Sequence, residues 1–147
     1  MLRRFWLASA CCVGLAAAAG CSKKDDTGAA GSTATATQPL RVTGVQLGRA
    51  VGSDMRVTDE TDDFKPNDTI YASVATDGTS PNATLMARWT YQDGKVVDTT
   101  SRSISPNAAS ATEFHVSKPG GWPKGNYKVE ILLNGAVTQS KDFEVGD

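Results

Sequence analysis

The sequence predicts an all-β protein, a single antiparallel β-sandwich of about seven strands placed after a signal peptide and a flexible tether. Three observations predict it. Short apolar–polar alternations recur through residues 39–147, separated by clusters of Gly, Pro, Asn and Asp. No stretch of that region shows the 3.6-residue apolar period of an amphipathic helix. A polar segment, residues 21–38, divides it from a short apolar run at the N-terminus.

Residues 1–20 have a basic start (Arg3, Arg4), an apolar core from Phe5 to Ala19 and small residues before Cys21. That is the build of a secretory signal. The apolar core, about fifteen residues, is shorter than the ~20 a membrane-spanning helix requires. The Ala-Gly-Cys ending resembles the lipobox of bacterial lipoproteins, with Ala18 where that family usually has Leu. The resemblance implies that Cys21 carries diacylglycerol and becomes the mature N-terminus. It also implies a lipid-anchored protein of the bacterial cell envelope. Ser22 after the cysteine resembles the class sorted to the outer membrane, facing the periplasm.

From Ser22 to Gln38 there is no aromatic or branched aliphatic residue. Such a segment cannot bury enough apolar surface to offset its ordering entropy. As a Gly-rich coil it would span about 23 Å, enough to hold a domain clear of lipid headgroups. Lys23 and Lys24 add a modest attraction to anionic lipid.

The strands follow in order. Leu40, Val42, Val45 and Leu47 alternate with one slip at Thr43-Gly44, which predicts a bulged strand. Gly52 to Asp63 is polar and acidic and is expected to be a loop. A turn at Phe64–Asp68 leads into Thr69–Ala75, where Ile70, Ala72 and Val74 share a face. Thr84–Gln92 places Leu85, Ala87, Trp89 and Tyr91 on one side. Asp93-Gly94 then predicts a type I′ hairpin into the polar strand Lys95–Ile104. Thr112–Ser117 is short, with Phe114 and Val116 together. Asn126–Leu133 alternates Tyr127, Val129, Ile131 and Leu133 against Lys128 and Glu130. Asn134-Gly135 predicts a second hairpin, and Val137–Val145 returns with Phe143 and Val145 inward.

Gly125-Asn126-Tyr127-Lys128-Val129 resembles the G-x-Y-x-C pattern of the sixth strand of immunoglobulin-like domains, with Val129 at the cysteine position. Trp89 follows Val74 at close to the spacing between the first cysteine and the core tryptophan of that family. The resemblance covers nearly all of residues 40–147. It implies that Val74 and Val129 replace the inter-sheet disulfide, that Trp89 is core, and that Tyr127 makes a tyrosine-corner hydrogen bond. It marks a fold and supplies no catalytic residue.

Composition narrows the function. The 147 residues carry a formal net charge of −1 and no cationic cluster, so nucleic acid is not an expected partner. Of the 3 cysteines, Cys11 and Cys12 lie in the signal and Cys21 is the lipidation site. With one histidine, His115, no structural zinc site is expected. His115 and Glu113 share a strand face, but no nucleophile is singled out beside them, so catalysis is not expected. The acidic run Asp59-Glu60-Thr61-Asp62-Asp63, near Asp54 and Asp68, lacks EF-hand spacing and reads as a solvated loop; calcium binding there stays open. Asn67-Asp68-Thr69 and Asn82-Ala83-Thr84 match a glycosylation sequon that means little in a bacterial chain. Trp122, among Gly120, Gly121 and Pro123, either caps the core or is an exposed contact for a partner. No cofactor is expected.

These readings converge on a membrane-anchored, non-catalytic binding or scaffolding module with an envelope protein partner. The polar strand Lys95–Ile104, with Thr100 at its middle, is the expected sheet edge for that partner. An inhibitor or chaperone presenting the Gly120–Gly125 loop to an enzyme is the alternative, and an enzyme accessory subunit is a more distant one.

Overall fold

The computed structural model describes residues 38–147, so the expected signal peptide, Cys21 and all but the last residue of the expected tether lie outside the described residues. Among the described residues there are eight strands and no helix. These are β1 (Arg41–Gly48), β2 (Asp63–Phe64), β3 (Ile70–Asp77), β4 (Ala83–Tyr91), β5 (Lys95–Ile104), β6 (Ser110–Val116), β7 (Gly125–Leu133) and β8 (Ala136–Val145).

The strands form two sheets, one in the order β1-β3-β6 and one in the order β2-β8-β7-β4-β5. This is the strand order of an immunoglobulin-like sandwich. The first, second and fifth strands of that fold (β1, β3, β6) make one sheet. The third, sixth and seventh (β4, β7, β8) make the other, extended by β5. All pairings between named strands are antiparallel except β2 with β8, which is parallel over Asp63↔Glu144 and Phe64↔Val145.

The alternation of each strand dictates its buried face. Ile70, Ala72 and Val74 of β3, Leu85, Ala87 and Trp89 of β4, and Val129 and Ile131 of β7 are all fully buried. Val74, Trp89, Tyr127 and Val129 belong to one apolar cluster that also holds Leu47, Phe114 and Phe143. The Trp89 and Phe143 rings meet edge to face at 5.9 Å, and Phe143 stacks on Tyr127 at 5.2 Å. Aromatic contacts of this kind add to the area term of core packing.

The irregularities have local causes. The register of β1 against β3 shifts between Val42 and Gly44, at the predicted slip, so Val42 and Leu47 both stay buried. Asn134 (φ 51°) and Gly135 (φ 86°) form the two-residue turn between Leu133 and Ala136, as a type I′ hairpin requires. The Asp93-Gly94 hairpin differs from its expectation. Tyr91 pairs with Lys95, which leaves a three-residue turn, and the positive φ values fall on Gln92 (28°) and Gly94 (80°) instead of Asp93. Gln92 N–H donates to Asn126 O at 2.9 Å, so β7 holds the turn at its first residue.

The expected loop Gly52–Asp63 is more ordered than its composition suggests. Bridges Gly48↔Glu60 and Val51↔Val57 fold residues 48–60 into a small hairpin arm with Met55 at its tip. A Cβ on Gly48 would lie 2.2 Å from Asp59 O, so only glycine permits this approach. The arm ends in β2, which buries Phe64 against Phe143.

Tyr127 Oη donates to Pro123 O at 2.7 Å, the tyrosine corner that the resemblance implies. Burial, and after it the neighbouring Tyr91, pushes its pKa from 10.0 up to about 12. A folded-state pKa above the unfolded one stabilises fully below the unfolded value and loses that stabilisation as pH rises through the folded value. Tyr127→Phe should therefore cost about 1–2 kcal/mol at neutral pH. Between about pH 10 and about pH 12 the variant should lose stability less steeply than the wild type. Urea denaturation at neutral pH and across that range checks both.

Candidate functional site

β5 and β6 are the terminal strands of their sheets, and together they form an open side of the sandwich. A constant-type immunoglobulin domain carries a further strand beside the position of β6. Among the described residues nothing pairs with β6 there.

The sequence of β5 sets what this side presents. Pairing with β4 places Asp98 opposite Trp89, Thr100 opposite Ala87 and Arg102 opposite Leu85, so these polar residues point inward from an edge. Thr99, Ser101 and Ser103 take the outer face and are exposed. Inward charges on an edge strand discourage pairing with another chain. Thr100 thus sits on the edge strand, but its side chain is half-buried; the outward side chains are those of its neighbours.

Arg102 spans the gap between the sheets. Its guanidinium lies 3.5 Å from Glu113 Oε2 on β6 and 5.8 Å from the centre of the Phe114 ring. Glu113 Oε1 is 2.6 Å from His115 Nδ1, and the His115 ring leans on Tyr71 at 5.6 Å. His115 is 53% exposed on the outer face, whereas the Glu113 side chain is 13% exposed. The described hydrogen-bond partner of His115 is this carboxylate.

Trp122 requires a correction as a partner contact. It is 6% exposed, donates from Nε1 to Asp68 O at 3.1 Å and meets Tyr127 edge-on at 5.8 Å. The ring closes one end of the core, because the Gly120-Gly121 turn folds it back: Trp122 N–H donates to Pro66 O at 2.7 Å. Asp68 anchors the same corner by accepting from Lys65 N and Arg49 Nε. The Lys65 N–H and, after it, Arg49 hold its carboxyl below the usual range, against its partial burial.

Most of the remaining acids of this region face a cation. Asp54 faces Arg56, Asp59 faces Arg49, and Glu60 and Asp62 share Lys141. No group of three His, Cys, Asp or Glu among the described residues is placed to hold a metal ion. Val74, Trp89, Tyr127 and Val129 are core and face no site.

Two features escape sequence reading. One is a groove of about 560 Å³ on the outer face of the larger sheet, lined by Arg88, Thr90, Val96, Asn126 and Lys128 among others. Four of its charges are matched, Arg88 to Glu130 at 2.7 Å and Lys128 to Asp142 at 3.5 Å, while Asp93 at its rim has no ion pair among the described residues. The other is the Arg102–Glu113–His115 cluster, which joins two strands that share no hydrogen bonds. The Glu113–His115 half was visible as two residues sharing a strand face; the reach of Arg102 to it from the other sheet was not.

No protein-family model matches the chain, and no curated protein does. Among solved structures it is similar to an immunoglobulin-like protein from Pseudomonas aeruginosa, at 15% identity and a TM-score of 0.48, over 76% of this chain and 99% of that one. It is also similar to part of a Pseudomonas fluorescens alkylpurine DNA glycosylase bound to DNA containing an abasic site analog (17% identity, TM-score 0.48), over 74% of this chain and 30% of that chain. A putative β-galactosidase from Bacteroides fragilis matches at 20% identity and a TM-score of 0.46, over 74% of this chain and 17% of the enzyme.

Trp122→Ala should cost about 3–5 kcal/mol, the penalty for emptying a buried aromatic site. Chemical denaturation of the variant measures it. A loss below about 1 kcal/mol would show that the ring does not support the core.

Proposed function

We propose that this chain is a lipid-anchored protein of the bacterial envelope, attached through Cys21 to the outer membrane and facing the periplasm. Its immunoglobulin-like domain acts there as a non-catalytic module that binds a protein partner by strand addition along the β5/β6 side. The single observation that carries this reading is the vacant edge of β6, which offers backbone N–H and C=O groups to an extended segment. Of the two edges, β6 is the better acceptor, since β5 carries the inward charges that oppose pairing.

The anchor and the module have separate tests. Metabolic labelling with palmitate should mark the wild type and not Cys21→Ala, which should also leave the membrane fraction; a labelled Cys21→Ala would contradict the anchor. Photoreactive residues at Ala111 and Ser101, on the outer faces of β6 and β5, should give discrete protein adducts in cells. Adducts to lipid alone would contradict strand addition.

The inhibitor reading keeps one supporting observation, at a different loop. Met55 is 46% exposed at the tip of the hairpin arm and has φ 63°, a strained value for a non-glycine residue. A loop offered to an enzyme would be this arm, and not Gly120–Gly125. On that reading Met55→Gly should raise stability by about 0.5–1 kcal/mol while protein adducts from position 56 disappear. Adducts that persist in the variant would set it aside.

A further inference from the structure

We propose that the vacant edge of β6 pairs with β6 of a second copy of this chain. The two strands run antiparallel about a twofold axis at Phe114 and fuse two three-stranded sheets into one of six. This inference rests on the strand-addition reading above and names its partner.

The sequence of β6, Ser-Ala-Thr-Glu-Phe-His-Val, is matched to itself in this register. With Phe114 opposite its twin, Glu113 stands opposite the second copy's His115, and His115 opposite the second copy's Glu113. Both pairs lie on the outer face, where directly opposed side chains approach to about 5 Å. Moving the axis to Glu113 sets carboxylate against carboxylate. Moving it to His115 sets imidazole against imidazole. Of these three registers only the one centred on Phe114 sets each carboxylate against an imidazole, and it is isologous, as a twofold dimer demands.

Three further observations fit. β6 has no proline, no lysine and no inward charge, so it lacks the devices that protect an edge. Arg102 lies along the same gap, 3.5 Å from Glu113, so each copy brings a guanidinium, a carboxylate and an imidazole to the contact. The carboxylates are not left to repel one another. Finally, a seven-residue strand makes a small contact, which alone gives weak association. Confinement of lipid-anchored copies to one membrane surface would raise their local concentration, which favours a weak contact there.

Sedimentation equilibrium of the full chain in density-matched detergent tests this. The wild type should show a concentration-dependent monomer–dimer equilibrium. His115→Glu, which opposes carboxylates across the axis, should weaken it at least about tenfold. The charge exchange Glu113→His with His115→Glu restores each opposed pair and should return the dissociation constant to within about threefold of wild type. Both positions lie on the outer face, and near-ultraviolet circular dichroism verifies that the variants fold. A monomer at every loading, a dimer indifferent to His115→Glu, or an exchange variant no better than His115→Glu each overturns the proposal. If self-pairing fails while Ala111 still gives adducts to another protein in cells, strand addition stands with a different partner. If Ala111 gives no adduct of either kind, the reading beneath it fails as well.

Discussion

The domain depends on packing between two sheets with no covalent link across them. The cysteines of the chain all lie at or before position 21, so no disulfide joins β3 to β7, whose Val74 and Val129 are fully buried in the shared core. A disulfide typically contributes about 2–4 kcal/mol, and here the aromatic cluster around Trp89 must supply the equivalent. Trp89, Phe143, Phe64, Tyr127 and Trp122 form a continuous chain of edge and stacked contacts from the centre of the core to one end. The arrangement is close-fitting, with one cost: Trp89 Nε1 is buried without a hydrogen-bond partner among the described residues.

That aromatic chain also decides which surfaces are free to do anything else. It uses Trp122 and Tyr127 to seal the end of the sandwich bearing Asp68 and Pro123, so the glycine-rich turn there is committed to structure. The outer face of the larger sheet is occupied by its own ion pairs. What remains is the side between β5 and β6, closed only by the reach of one arginine across to Glu113. The contact is long, 3.5 Å, and its arginine is half exposed.

Much of this was legible in the sequence, and the reasons are physical. β3, β4 and β7 sit in the interior of their sheets, so most of their inward faces could be assigned from residue type; the exception is the end of β7, where a register shift after Ile131 buries Leu132 in place of the expected Leu133. Val74, Trp89, Tyr127 and Val129 were identifiable because each is fixed by burial. The bulge in β1 was visible as a break in period. By contrast, β2 is two residues long and pairs with a strand some eighty residues further on, so no local pattern announces it. The hairpin arm is polar because it stands in solvent, and its order comes from backbone bonds that composition does not encode. The Gln92–Gly94 turn was misassigned because β7 captures Gln92 through a long-range hydrogen bond. The Arg102–Glu113 bridge depends on how two sheets face each other, which one-dimensional spacing cannot carry.

The most direct test of strand addition at β6 is amide hydrogen exchange of the full chain, compared between its native membrane and dilute detergent. Slower exchange on the membrane confined to Ser110–Val116, with the β3 amides unchanged, is the result this account predicts. Equal exchange of β6 in both settings, or protection confined to the arm around Met55, would contradict it.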